Sequence, residues 1–217
     1  IKKKIVWWIR TSLNTNDLNN TKYLFIRSIS LLSYLFPSNI LFNSEKAKIS
    51  HLDFGFKSNI SSVINNFCDT HSYFYKEDKK NSNNRLTLGS VIRYDDDKDI
   101  KTLLKSVREL KYIYNIDFIL TIIGENINNS KLIKKIQNLK LEKNIKLLNN
   151  HDNLNNFYNS IDAHILTSIN ESFPNVVLDS IASGTFNIVT DVGDVNKIVT
   201  KYDKIVKKRD YKAISKT

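Results

Sequence analysis

Methionine is absent from this 217-residue chain, cysteine occurs once and proline twice. With only Cys68, neither an intrachain disulfide nor a cysteine-built zinc cluster is possible, and a reducing compartment suits the chain. Glycine is scarce as well: Gly55, Gly89, Gly124, Gly184 and Gly193 are the whole set, and each is expected at a turn. Long apolar runs are missing. The longest candidate, Leu24–Phe36, is broken by Arg27 and several serines and is too short and too polar to span a bilayer. No secretion signal is visible. The chain starts at Ile1 and has no Met, so an excised or incomplete piece of a longer product is expected.

What remains is a globular composition, 41% hydrophobic, enough for one good core or for one domain plus part of another. Asn, Lys and Ile are abundant, a bias that AT-rich coding DNA produces. The formal net charge is +11. Nucleic acid, an anionic membrane surface or an anionic substrate would each suit it. The lysines are dispersed, except at Lys2-Lys3-Lys4 and Lys207-Lys208-Arg209, and no arginine-rich arm or aromatic-and-basic motif appears. A solvated basic surface is therefore the first reading, membrane contact the second, and nucleic acid is disfavoured.

Along the chain, apolar runs alternate with helical patterns. Ile5–Ile9 reads as a strand and Thr21–Phe36 as a helix with Tyr23, Leu24, Ile26, Ile29, Leu31 and Leu32 inward, ended by Pro37. Ile40–Phe42 is a strand, Ser44–Phe54 a helix stopped by Gly55, and Ser61–Ile64 a strand. Phe74–Asn84, charged and Asn-rich, reads as a linker. A second series follows: strands at Leu86–Ile92, Phe118–Ile123, Ile145–Leu148 and Ala163–Leu166, and helices at Ile100–Leu110, Lys131–Leu139 and Leu154–Ser160. Such alternation implies right-handed crossovers and a parallel sheet with helices on both faces. The expected domains are 1–70, an incomplete α/β unit; 71–84, a linker; and 85–217, a Rossmann-like unit.

The densest information lies in Glu171-Ser-Phe-Pro-Asn-Val-Val-Leu-Asp179 and the residues after it. Pro174 suits a first helical turn, Gly184 a left-handed stop, and Phe186–Thr190 a buried strand. Glu171 then stands on a loop before the helix and Asp179 within it, toward the carboxyl ends of the strands, where open α/β sheets bind ligands. The plainer alternative is a loop–helix–strand unit with solvated acids. A second pair, Arg93 and Lys98, follows the Leu86–Ile92 strand. A guanidinium grips phosphate oxygens bidentately and an ammonium acts as a mobile point charge. Asp95-Asp96-Asp97 between them could hold a divalent cation, but a solvated loop that caps the next helix with Asp99 is the preferred reading. His151 reads as a surface-loop residue and His164 as a packed core residue.

The Glu171–Asp194 segment resembles the donor-binding signature of family 4 glycosyltransferases of the two-domain GT-B fold. That signature is a Glu, seven residues, a second acid, and then a "cGtPVvatdvG" run. Asp179 replaces the usual second Glu and Phe186 the usual Pro. Gly89-Ser-Val-Ile-Arg93 through Lys98 and Leu103-Leu104 is similar to the family's "G-x-v-a-R-f-x-p-q-K-d-h-x-x-L-L". Gly124-Glu-Asn126 matches its "Gly-x-Gly" turn, with Asn126 expected to keep the left-handed backbone. Leu148-Asn149-Asn150-His151 stands where the family often has "Leu-Gly" near the nucleotide base. Asn43-Ser44, His51, Gly55-Phe56, Val63-Ile64, Asn66-Phe67 and Asp69 resemble the end of the family's N-terminal domain, with Asn65 in place of a Pro and one customary Gly absent.

The resemblance implies a retaining glycosyltransferase that moves a hexose from a nucleoside-diphosphate sugar. The acceptor would be a glycan or lipid-linked group, in cell-surface polysaccharide synthesis. Glu171, Arg93 and Lys98 would be catalytic: Glu171 on the sugar hydroxyls, the two cations on the diphosphate. Asp179 would hold the ribose, and Ser168, Gly124 and the helix start at Phe173, Asn175 and Val176 would line the site. No metal or other cofactor is expected. The location would be cytoplasmic, with peripheral contact at the inner membrane face. The first part of the N-terminal domain, which normally supplies the acceptor site, is absent from the resemblance. A non-catalytic nucleotide-sugar-binding module is the alternative.

Overall fold

The structure, a computed structural model, describes residues 3–15, 18–77 and 85–217. Lys2, residues 16 and 17 of the first loop, and residues 78–84 of the expected linker lie outside the described residues. The chain divides into two compact units. The first comprises Ile1–Asn66 with Asn170–Pro174, and the second Phe67–Ile169 with Asn175–Thr217.

The first unit holds strands β1 (Val6–Ile9), β2 (Asn39–Phe42) and β3 (Ser61–Val63), parallel and in that order, with helices α1 (Asn20–Leu32) and α2 (Glu45–Phe54). Local chemistry starts and stops the helices. Asn19 accepts the Lys22 N–H to cap α1, Ser44 accepts the Ala47 N–H to cap α2, and Gly55 ends α2 in left-handed conformation. The core is Ile40, Phe42, Ala47, Phe54 and Phe56. Helix α1 departs from expectation in two ways. It stops at Leu32 rather than running to Phe36, because Ser33 donates its hydroxyl to the Ser30 carbonyl and three-residue turns follow at Tyr34 and Leu35. Of the residues expected inward, Ile26 and Ile29 pack on the core, and the partly exposed Tyr23 sets its ring edge-on against Phe54, with centroids 5.1 Å apart. Tyr23, Leu24, Leu31 and Leu32 are exposed, Leu24 by 65%. Three adjoining strands offer α1 a narrow floor, so its wide apolar surface is only partly covered.

The second unit is a six-stranded sheet. Its strands are β4 (Leu86–Val91), β5 (Phe118–Ile123), β6 (Ile145–Leu148), β7 (Ala163–Leu166), β8 (Phe186–Thr190) and β9 (Lys204–Val206). They are parallel, in the order β6-β5-β4-β7-β8-β9. The crossover helices are α3 (Ile100–Tyr112), α4 (Ser130–Asn138), α5 (Leu154–Ser160) and α6 (Asn175–Ala182), and α7 (Tyr211–Lys216) closes the chain. Helices cover both faces, as the alternation of strands and helices predicts. All four residues of β7 are buried, which is what covering both faces does to a central strand. Strand β9 and helix α7 escaped sequence reading, since Lys204-Ile-Val206 is too short to show a period.

Two glycines need comment. Gly184 has φ +69°, the expected stop after α6. Gly89, grouped with the glycines expected at turns, lies inside β4, where the strand expected over Leu86–Ile92 places it. An added Cβ would meet Phe157 and Ile161 at 2.6 and 2.5 Å, so this glycine admits helix α5 close to the sheet. Residues 73–76 of the expected linker are pinned to α5 by the Phe74 and Lys76 N–H groups, which donate to Asn155 and Asn159.

Candidate functional site

Strand order reverses between β4 and β7, and a crevice at the carboxyl ends of the two strands follows from that reversal. Ser90 donates to the Ile165 carbonyl at 2.8 Å and ties β4 to β7 from within. Beyond β4 the chain passes Arg93 and makes one tight turn over Asp96–Lys98. Asp99, at φ +41°, then accepts the Thr102 N–H and hydroxyl and so caps α3. This loop is fastened to the end of β7. Thr167 donates to the Lys98 carbonyl at 2.9 Å and to that of Asp99 at 3.1 Å, and the Ile169 N–H to the Asp97 carbonyl at 2.7 Å. Thr190 donates to the Ser168 carbonyl from β8. At the end of β5, a Cβ added to Gly124 would lie 2.0 Å from the Ile92 carbonyl oxygen, so only glycine lets the two strand ends approach. Arg93, Lys98, Gly124 and Ser168 therefore gather at one end of the sheet. Asn126, two residues past Gly124, adopts φ +59°, as expected of it.

Arg93 is 67% exposed, with its guanidinium 3.5 Å from an Asp95 carboxylate oxygen. The other Asp95 oxygen is buried without a hydrogen-bond partner. Lys98 is half-buried at the end of the turn. Asp96 and Asp97 face solvent. Asp99 alone caps α3, while Asp95 turns toward Arg93. Among the described residues, no group of three or more His, Cys, Asp or Glu side chains is placed to hold a metal ion.

Helix α6 carries the second part of the site. Asn175, its first residue, is exposed, Val176 half-buried, and Val177 fully buried in the main core. One turn in, Asp179 is half-buried. Burial pushes the Asp179 carboxyl up to about 6, against a smaller opposing pull from the Cys68 thiol. Burial, then the neighbouring Asp179 charge, pushes the Cys68 thiol up to about 11. Tyr73 and Tyr158 also feel the Asp179 charge, and burial raises the Tyr158 phenol well above its usual range. Sequence reasoning missed Cys68, Tyr73 and Tyr158, because nothing local marks them as neighbours of Asp179.

Glu171 and Phe173 belong to the short segment that packs within the first unit. There Ser12 donates to the Glu171 carbonyl at 3.4 Å, Ser172 bonds to Asn43 and Ser44, and Asn66 donates to the Phe173 carbonyl. His164 is fully buried, with Nδ1 3.0 Å from the Asn187 amide oxygen, a packed core residue as expected. His151 is a loop residue whose Nδ1 accepts the Asn153 N–H.

Residues 74–217 match the family described as glycosyl transferases group 1. The chain belongs to that family. A comparison with curated proteins gave no match. Solved structures of similar fold include HepE from Anabaena, in complex with UDP and glucose, at 16% identity and a TM-score of 0.86. That similarity covers 99% of this chain and 60% of HepE. Sucrose-phosphate synthase from Thermosynechococcus elongatus is similar at 16% identity and a TM-score of 0.77, over 94% of this chain and 53% of its own. A glycosyltransferase from Rickettsia africae is similar at 19% identity and a TM-score of 0.76, over 97% and 58%. The chain thus spans about 60% or less of the length of these three proteins. Among the described residues, no helix of this family member is long and apolar enough to cross a membrane.

Proposed function

We propose that the protein transfers a hexose, with retention, from a nucleoside-diphosphate sugar to a glycan or lipid-linked acceptor. The observation that carries this reading is the gathering of Arg93 and Lys98 at the strand-order reversal of the unit that matches the family. Loop and strand ends hold both cations where an anion would dock. Arg93 would grip the diphosphate bidentately and Lys98 would follow it as a point charge. As the sugar departs, negative charge grows on the leaving nucleoside diphosphate, and both cations then bind more strongly than in the ground state. Asp179 would accept the ribose hydroxyls. Glu171 would take the sugar hydroxyls, while Ser168, Gly124, Phe173, Asn175 and Val176 line the donor.

On this reading no metal ion assists, because the cations occupy its place. Cell-surface polysaccharide synthesis would be the setting, in the cytoplasm, with peripheral contact at the inner membrane face. HepE, solved with UDP-glucose, makes UDP the first nucleotide to test. Calorimetric titration with UDP should show binding that survives EDTA and falls roughly tenfold in Arg93→Ala. Binding that chelation abolishes and Mg²⁺ restores would overturn the metal-independent mechanism. Failure of every nucleoside diphosphate to bind, with an oligonucleotide binding instead, would overturn the reading itself.

A further inference from the structure

The outer face of helix α1 takes no part in the chemistry above. With 3.6 residues per turn, positions 24, 25, 28, 31, 32 and 35 share one side, and they hold Leu24, Phe25, Ser28, Leu31, Leu32 and Leu35. The five apolar members are exposed by 42–76%. The polar member, Ser28, donates its hydroxyl to the Leu24 carbonyl at 3.0 Å and so turns its polarity back into the helix. Ile26 and Ile29, on the other side, pack on the core of the first unit. A surface helix ordinarily pairs an apolar inner face with a polar outer one. Here both faces are apolar, and the outer one runs on into Tyr34 and Phe36, which are exposed as well. A contiguous exposed apolar patch marks an interaction site.

Basic residues border this stripe. Residues 18–44 hold Lys22 and Arg27 and no Asp or Glu. Two hydrogen bonds bring further lysines to the far end of the stripe. The Ser38 N–H donates to the Ile5 carbonyl at 2.7 Å, so the exposed Lys3 and Lys4 enter the sheet beside Phe36-Pro37. The Lys57 N–H donates to the Ser33 hydroxyl oxygen at 2.9 Å, so Lys57 stands at the turn that holds Tyr34. Asp53 is exposed in the last turn of α2, and Arg27 is fastened one residue away from it, donating to the Phe54 carbonyl at 2.8 Å. Over residues 1–66, nine Lys and Arg stand against three Asp and Glu. That excess opposes a second copy as the cover, since two such faces would bring like charges together. It suits an anionic lipid surface, where apolar side chains enter the acyl boundary and lysines reach the headgroups. At 13 residues α1 is too short to span a bilayer.

We propose that the outer face of α1, with the turn at Tyr34–Phe36, docks the protein on an anionic phospholipid bilayer, the helix lying in the plane of the interface. The proposal deepens the membrane contact named above and rests on that part of the reading. It does not depend on nucleotide binding.

Flotation with lipid vesicles tests it. The protein should float with phosphatidylcholine vesicles that contain phosphatidylglycerol, and should partition at least roughly tenfold less onto phosphatidylcholine alone. Raising NaCl to about 0.5 M should weaken the binding. The double change Leu31→Ser and Leu35→Ser should lower partition roughly tenfold with unchanged dichroism, since both side chains are exposed. Hydrogen exchange on the vesicles should slow at residues 22–36. No flotation on either lipid would overturn the proposal, and equal flotation on both would overturn the choice of an anionic surface. A double variant that floats like the parent would remove the apolar stripe from the contact. Flotation with slowed exchange elsewhere would keep the membrane contact and reject this surface. A parent that elutes as a dimer, with the double variant monomeric, would mean that a second copy covers the face, against the proposal. UDP titration in solution is scored apart. Flotation without UDP binding upholds the docking surface and sinks the nucleotide reading, and UDP binding without flotation does the reverse.

Discussion

The two units are written in the same alternation of apolar strands and amphipathic helices, and they bury it very differently. In the second unit, Leu120, Ile122 and Phe118 on β5 are fully buried, as is nearly all of β7. In the first unit, β1 alternates exposed and half-buried residues, Trp8 is 60% exposed, and Leu24, Phe25 and Leu35 of α1 and its following turn are exposed by 65–76%. The difference teaches that an apolar pattern states what a segment can bury, while the number of neighbours decides what it does bury. A six-stranded sheet gives its central strands two covered faces. A three-stranded one leaves α1 a floor only a few strands wide.

The comparison can be broken experimentally, because both tryptophans, Trp7 and Trp8, lie in the first unit. Their fluorescence follows that unit, while far-ultraviolet circular dichroism follows both. Leu120→Ala should cost about 3 kcal/mol in urea unfolding, by lost transfer energy plus a cavity in a core that cannot collapse. The dichroism transition should shift and the fluorescence transition should not. Shifts of equal size would mean that the units unfold as one. Gly89→Ala should cost about 2 kcal/mol, since Phe157 and Ile161 must move aside for one methyl group. A Phe157→Leu change in the same chain should recover part of that loss, and a lack of recovery would reject close packing as the reason for this glycine.

Asp179→Asn should have a smaller effect, of opposite sign. Burial raises the Asp179 carboxyl to about 6, so between about pH 4 and 6 the folded state holds more protons than the unfolded one. The contribution is therefore present below the unfolded value and is lost as pH rises through 6. Removing the charge should stabilise the protein at pH 7 by about 1 kcal/mol, after allowing for the carboxylate's exposure. The effect at pH 4 should be close to zero. UDP binding should weaken in the same variant. Equal urea midpoints for variant and parent at pH 7 would show that the carboxylate is better solvated than its position implies. The smallest change is expected from Leu35→Ser, which should stay within about 0.5 kcal/mol because the side chain is 76% exposed. A larger loss would mean that the apolar surface after α1 is covered in solution.

Much of the fold was legible. Strands β5 to β8 and helix α5 lie where apolar runs between turn residues place them, and Gly184 and Ser44 act as the stop and cap their chemistry predicts. Arg93 and Lys98 were legible as the end of a strand and its following loop. The electrostatic influence of Asp179 on Cys68 was not, because Asn-Phe-Cys-Asp offers no local signal, and the segments that carry the two residues are tied together through the buried amide of Asn155. The need for glycine at 89, inside a strand rather than at a turn, was illegible for a related reason, since its constraint comes from a helix many residues later in the chain.

By itself, then, the sequence determined the α/β alternation, the helix caps and stops, and the cationic loop after β4. These rest on bonds between residues a few positions apart, where side-chain chemistry acts on its own backbone. The tertiary structure alone decided which apolar faces stay bare, that Glu171 packs within the first unit with Ser12 bonded to its carbonyl, and that one buried amide, Asn155, ties residues 68–76 to the end of α6. Each of these depends on segments distant in the chain meeting across a core. Only close packing, which fixes one neighbour and excludes the others, selects among the partners that the same residue types allow.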